Sequence, residues 1–404
     1  MIGFLDAARN ILWNRLFVPL FLIVGLRCIF ELRHIKLSRI KIAAAGEDGI
    51  KPYQTLFANL ASTLGTGNIA GVSLAIYSGG AGSVFWMWAA AVVGMCISFC
   101  ENTLGVKMRN KNSYPVPYMK KPLAKAFSLC CILASFGMGN MTQANSAAEA
   151  ARNAFSIPPI FAGAVMALFA ALIILRGLNG ILRFTDRFVP LMGAFYILFS
   201  LGIIIINKDM ISEVVREIFS EAFTAKAILG GSAAIGIARG VFSGEAGLGS
   251  SVILSSLSNA KTPETQGFIG MLSIFLDTIV MCSLTAFAIL TSKSVSAAGA
   301  FYWTFGSLGG KLLDISVIFF AFTTIIGWSY YGDVCSAFLF GEKGRKIYKI
   351  LCIAFIMAGS MAKMESVWAL SDIFNALMAL PNLLSLVIAL KFMHKPRGVA
   401  PHTP

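Results

Sequence analysis

Apolar runs of roughly 20 residues, each enough to cross about 30 Å of hydrocarbon, recur along the whole chain with short polar patches between them. Eleven can be read, near 11–30, 52–78, 83–105, 126–149, 158–175, 186–206, 227–255, 266–291, 312–338, 348–362 and 367–390. Two are overlong and interrupted: "NLASTLGTGNIAGVSLAI" in the second and "LGGSAAIGIARGVFSGEAGLGSSVIL" in the seventh. Glycine costs helix stability and opens backbone conformations that other residues avoid, so both are expected to be helices broken near the middle. The pattern predicts an all-α polytopic membrane protein of about 11 transmembrane helices.

The first run stands apart, because the basic segment 31–51 separates it from the rest. The other ten divide at the acidic stretch 207–226, where Glu213, Glu217 and Glu221 fall four apart, as on the exposed face of a surface helix. Residues 1–404 therefore read as one transmembrane domain: a leading helix and basic loop over 1–51, a five-helix repeat over 52–206 and a second over 227–390. Each repeat opens on an interrupted run. An odd number of spans per repeat inverts the second relative to the first, and paired interrupted segments in inverted halves point to a secondary transporter's binding site.

Composition agrees with the pattern. The chain is 57% hydrophobic and 13% charged, with a mean hydropathy of +0.77, more apolar surface than a soluble core could hide. The net charge of +14 is informative through its distribution. Alternate connections carry 22 Lys and Arg on one side and 9 on the other, so the positive-inside rule puts the N-terminus outside and the C-terminus in the cytoplasm. That reads as topology in a bacterial-type inner membrane with lipid as the surrounding partner, not as a nucleic-acid footprint; no obligate protein partner is evident. The eight cysteines sit in or at the ends of apolar runs and read as packing residues. The first run lacks a small-residue cleavage site and is followed by "RHIKLSRIK", so it is expected to stay as a span. His34, His394 and His402 lie in basic or terminal segments, and no nucleophile with its base is visible. An enzyme is not expected.

Candidate chemistry gathers at the breaks. Around Gly65 and Gly67, the residues Ser62, Thr63, Thr66 and Asn68 offer side-chain donors and acceptors. A broken helix presents free N–H groups that suit a carboxylate and free carbonyls that suit a cation. Gly71, Gly79 and Gly80 read instead as small residues for close helix packing. The second break, "IARGVFSGEAGLGSS", carries Arg239 and Glu245, a plausible intramembrane pair. In "FFAFTTIIGWSYYG", Thr323 and Thr324 are adjacent hydroxyls able to help cage a hard cation or to bond their own helix, and Trp328 shares a face with Thr324. Gln143 fits either a strut or a site; Asn145, Asp277 and Asp372 read as interhelical struts, and Glu101 as a partner of Lys107 or another basic neighbour.

Together "LGTGNIAGVSLAIYSGGAGSVFWMWAAAVVGM", "MTQAN", "ARGVFSGEAGLGSS", "QGFIGMLSIFLDTIVMC", "FAFTTIIGWSYYG" and "VWALSDIFNALMALPN" resemble the alanine or glycine:cation symporter family, in order from about residue 52 to 385. The resemblance implies a leucine-transporter-like fold with a leading helix and a five-and-five inverted repeat. It implies a sodium-coupled carrier of a small neutral amino acid, alanine or glycine, with sodium as the co-transported ion. By that likeness the carbonyls of Ala61 and Leu64 and the hydroxyls of Thr323 and Thr324 would hold sodium. Thr66, Gly67 and Asn68 would meet the carboxylate, and Gln143, Phe242 and Trp328 would close the pocket, with Thr324 shared between the sites. A proton-coupled carrier of another solute, or a non-transporting sensor or channel on the same scaffold, is the alternative. The chain departs from the family's pattern at Gly79-Gly80-Ala81-Gly82 (usually GGPG), at Gly244 (usually Asn) and in the loop "RNKNSYPVPYMKKP", which lacks the usual GGPMYY. Gly244, in the second break, is expected to enlarge the pocket or shift its preference from alanine.

Overall fold

The apolar runs fold as helices whose two faces meet different solvents. In α1 (Val18–Leu32), extended at its start by a π-helical stretch Ile11–Phe17, the residues Phe21, Val24 and Cys28 are buried while Ile23 and Leu26 are exposed. In α7 (Gly177–Ile206), Leu191, Leu198 and Ile205 recur every seven residues and stand about two-thirds exposed, opposite the buried Val189, Met192, Tyr196 and Ile203. Exposed leucine and isoleucine at that period make a stripe for lipid, with the protein core on the other side.

The computed structural model describes residues 11–33, 49–110, 113–224, 227, 231–362 and 364–394. Arg9, the basic residues His34, Lys36, Arg39 and Lys41, and Lys111, Lys226 and Lys363 lie outside the described residues, as does the tail after His394 with its His402. The remaining helices are α2 (Pro52–Thr63), α3 (Ala70–Gly79), α4 (Gly82–Met108), α5 (Lys121–Phe155), α6 (Pro159–Ile174), α8 (Ile211–Ala222), α9 (Ser232–Gly244), α10 (Ser250–Ser255), α11 (Pro263–Thr291), α12 (Ala297–Met361) and α13 (Met364–Ala389). Among the described residues the only extended pairing is an isolated bridge between Ile50 and Ser258.

Six helices are long and apolar enough to cross a bilayer alone, namely α4, α5, α7, α11, α12 and the Ser371–Phe392 region of the last helix. The expected eleven runs map differently for physical reasons. Runs two and seven are each split into two short helices, α2 with α3 and α9 with α10, while runs nine and ten lie within α12. That 65-residue helix is interrupted by Gly306 and Gly341, both at positive φ. The gap between those two runs, 339–347, therefore stays helical apart from a turn at Gly341. The amphipathic stretch after 207 folds as the predicted surface helix α8, with Val214, Ile218 and Ala222 on its buried face.

These elements set the breaks face to face. The helix α4 packs between α9 and α11, while α12 lies along α5, α6 and α7 and reaches α2. Two π-helical segments, Ser135–Met141 in α5 and Phe275–Cys282 in α11, lie beside the breaks; such bulges re-aim side chains and are frequent at functional sites.

Candidate functional site

The first break is closed by its own asparagine. The amide of Gly65 bonds Asn68 Oδ1 at 3.0 Å in place of the Ala61 carbonyl, which a continuing helix would give it. Leu64 turns out of the helix at ψ 86°, Gly65 is extended, and Thr66–Asn68 make one 3₁₀ turn before α3 begins. Glycine is required at 65 by close approach: a Cβ there would lie 2.7 Å from Thr324 Oγ1 and 3.2 Å from Gln143 Oε1. At Gly71, by contrast, a Cβ would meet nothing within 4 Å, so the expected helix-packing role falls to Gly79, whose neighbour is the Ser232 backbone at 3.2 Å.

Two kinds of backbone group are freed from the helix ladder. On the α2 side, the Leu64 carbonyl accepts from Thr324 Oγ1 at 3.2 Å, and Thr324 also bonds Phe320 O in its own helix. On the other side, Thr66 N donates to Gln143 Oε1 at 3.3 Å, and the Gly67 amide has no partner among the described residues. Thr66 Oγ1 is likewise buried without a partner among them. Phe242 faces this turn, its ring 3.6 Å from where a Cβ of Gly67 would stand. Leu64, Thr66, Gly67, Gln143, Phe242 and Thr324 are therefore neighbours, and Ala61 is fully buried in the last turn of α2.

Other expected residues are placed differently. Asn68 is occupied: besides capping Gly65, its amide nitrogen donates to Asp277 Oδ1 at 2.8 Å and to Ser243 Oγ at 2.9 Å. Thr323 turns its hydroxyl to Phe320 O and the Met192 sulfur, away from the Leu64 carbonyl that Thr324 holds. Trp328 gives its indole N–H to Glu245 Oε1 at 2.7 Å.

The second break forms at Glu245, Gly247 and Gly249, all left-handed. A non-glycine residue in that region is strained by roughly 1–2 kcal/mol, and Glu245 is held there by Trp328 and by Ser250 Oγ at 2.6 Å. The expected pairing of Glu245 with Arg239 is not formed. A spacing of six sets the two on different faces of a helix, and Arg239 reaches Asp372 on α13 instead, at 3.6 Å. Nor does Glu101 pair with Lys107: it accepts from Asn382 Nδ2, while Lys107 caps the Met393 carbonyl. Asn145 bonds the carbonyls of Gly359 and Ala362, the strut expected of it.

Asp277 is the residue whose weight the sequence understated. It is fully buried; Asn68, Ser243 and Thr278 bond its carboxyl, and no basic side chain contacts it among the described residues. Gly244 belongs to this cluster. A Cβ at 244 would meet Thr278 Oγ1 at 2.9 Å and Asp277 Oδ2 at 3.6 Å, so the position faces α11 and not the Phe242 pocket it was expected to enlarge.

The family model described as "Sodium:alanine symporter family" matches residues 1–396. The chain is 34% identical over 429 residues to "Sodium/alanine symporter AgcS" of Methanococcus maripaludis, covering 96% of this chain and 94% of that one. It is 34% identical over 419 residues to "Amino-acid carrier protein AlsT" of Bacillus subtilis, covering 96% and 89%. Among solved structures it is similar to MhsT in complex with L-phenylalanine, with a TM-score of 0.60, 14% identity, and 86% and 89% of the two chains covered. It is also similar to a manganese transporter of Eremococcus coleocola, with a TM-score of 0.57, 13% identity, and 89% and 82% covered. At those identities the structural likeness carries the fold, a leucine-transporter-like arrangement of helices.

Proposed function

The chain belongs to the sodium:alanine symporter family of multi-pass membrane transporters, and on that premise we propose that it couples inward sodium movement to uptake of alanine or glycine by alternating access. Its members carry solutes and are not enzymes. The main support is the polarity of the first break: a carbonyl held by a hydroxyl on one side, Leu64 with Thr324, and an open amide and hydroxyl on the other, Gly67 with Thr66. The first end suits a hard cation and the second a carboxylate.

In this reading the carbonyls of Ala61 and Leu64 and the hydroxyl of Thr324 hold sodium, and Thr323 joins them by a change of rotamer. The Gly67 amide and Thr66 hydroxyl meet the amino acid's carboxylate, while Asn68 keeps the turn open by capping Gly65. Gln143 and Phe242 bound the space for the ammonium group and small side chain. Trp328 closes it while anchored to Glu245. Residues 52–206 and 227–390 act as inverted repeats, with the N-terminus outside and the C-terminus in the cytoplasm. Sodium favours the state that binds the amino acid, and linkage makes the effect reciprocal.

Uptake of radiolabelled glycine, L-alanine and D-alanine into proteoliposomes tests this. An inward sodium gradient is expected to drive accumulation of at least one of them; equal uptake with sodium replaced by choline would exclude the coupling. A second reading is favoured by Asp277 and Glu245, two buried carboxyls without basic partners among the described residues: a proton serves as the coupling ion. Accumulation driven by a pH gradient without sodium would select it.

A further inference from the structure

A cavity of about 620 Å³ opens beside the carboxy-terminal end of α10, on the face that the charge count assigns to the cytoplasm. It is lined by Arg109, Tyr114, Ile253, Ser256, Tyr330 and Arg345 among others, and by none of the residues proposed above for sodium or the amino acid. With a water's share of liquid volume about 30 Å³, the space far exceeds what alanine or glycine needs.

Its chemistry is that of an anion site. No carboxylate is among its described lining residues, although two guanidinium groups are. Arg109 uses Nη1 on the Ser258 carbonyl, and its other N–H groups have no partner among the described residues. Arg345 uses Nε on Asp333 at 2.9 Å and Nη1 on Glu342 at 3.1 Å, which leaves Nη2 open among them. Lys349 also lies 3.7 Å from Asp333, so that carboxylate is shared between two cations, Arg345 and Lys349. Tyr330 is 8% exposed, lines the cavity, and has no hydrogen-bond partner for its hydroxyl among the described residues. Its hydroxyl is therefore a donor open to the cavity. Tyr114 packs its ring edge-on against Phe338 and brings a second phenol to the cavity.

We propose that this cavity binds a phosphate-bearing anion, either the headgroup of an anionic lipid or a soluble phosphate ester, between Arg109 and Arg345 with the Tyr330 hydroxyl as a third donor. Guanidinium N–H groups match phosphate oxygens in geometry and charge, and basic pockets between helices on the cytoplasmic side suit such headgroups. Ile253, Leu257 and Phe338 add an apolar wall for the stem that carries the phosphate. The bound anion bridges two elements: Arg109 holds Ser258, just beyond α10, and Arg345 follows the Gly341 turn of α12. The site does not depend on which solute or coupling ion the protein uses.

The test is thermal stabilisation of the purified full chain in phosphatidylcholine nanodiscs, titrated separately with inorganic phosphate and with short-chain phosphatidylglycerol. Saturable stabilisation is expected. Its half-saturating concentration should rise about tenfold in Arg109→Gln, as expected for a lost charge-assisted contact, and severalfold in Tyr330→Phe, which keeps the ring and its packing. Lys343→Gln, an exposed charge on the same face, should leave it unchanged. Stabilisation by phosphatidylglycerol alone assigns a lipid headgroup, and stabilisation by inorganic phosphate assigns a soluble anion. Absence of stabilisation by either, or equal behaviour of Tyr330→Phe and wild type, would overturn the site.

Discussion

The side-chain nitrogen of Asn68 lies 2.8 Å from Oδ1 of Asp277, tying the first break to α11 across 209 residues of sequence. Asn68→Ala is therefore expected to harm both ends of the contact. It leaves the Gly65 amide without its partner, at about 1–3 kcal/mol for a group so stranded, and takes from the buried Asp277 carboxyl one of its hydrogen bonds, leaving those from Ser243 and Thr278. Uptake in proteoliposomes should be lost and thermal stability lowered. Wild-type uptake by this variant would mean that the Asn68 cap does not set the break.

Trp328 and Glu245 provide a second long-range link, between α12 and the second break. Replacing Trp328 with Phe keeps a large ring but removes the indole donor to Glu245 Oε1. Leaving a buried acceptor without its partner costs about 1–3 kcal/mol. A fall in melting temperature is expected, together with slower uptake. Glu245→Gln, which still accepts from the indole, should fall less; the reverse order would contradict the assignment.

Two glycines of the same break should respond oppositely. Gly65→Ala forces a methyl to within 2.7 Å of Thr324 Oγ1 and displaces the hydroxyl from the Leu64 carbonyl. Overpacking of this kind costs about 1–3 kcal/mol, and uptake should vanish. Gly71→Ala meets open space and should transport normally. Loss of transport at 71 with tolerance at 65 would place the close contact at the wrong glycine.

For Gly244 the decisive readout is which substrate dependence moves. Its Cβ direction is toward Thr278 and Asp277. Gly244→Ala is expected to alter stability or ion dependence while the order of preference among glycine, alanine and larger amino acids stays as in wild type. Competition of each amino acid against labelled alanine checks this; a reordered preference would return Gly244 to the cargo pocket.

These relationships show where a sequence is legible. The two breaks could be read because glycines and polar residues in apolar runs leave a local mark, as in "STLGTGN" and "FSGEAGLGSS". The surface helix around Glu213, Glu217 and Glu221 could be read from its period. Partners across the bundle could not. Arg239 and Glu245 are near in sequence, but a spacing of six does not put them on one helix face, and one reaches Asp372 and the other Trp328. Asp277 looked like one strut among several, because nothing in its own run reveals that Asn68, Ser243 and Gly244 converge on it from both breaks. The gap between the ninth and tenth runs stays helical apart from the turn at Gly341, because a basic stretch lowers hydropathy without breaking a helix.

The most direct test of sodium coupling at the first break is the sodium dependence of initial alanine uptake by Thr324→Ala in proteoliposomes. The hydroxyl that holds the Leu64 carbonyl is lost while the helix remains. The half-saturating sodium concentration should rise by about tenfold, the effect of losing one favourable contact to the ion, and Thr324→Ser should restore most of it. A Thr324→Ala protein that is correctly inserted and shows wild-type sodium activation would contradict the account.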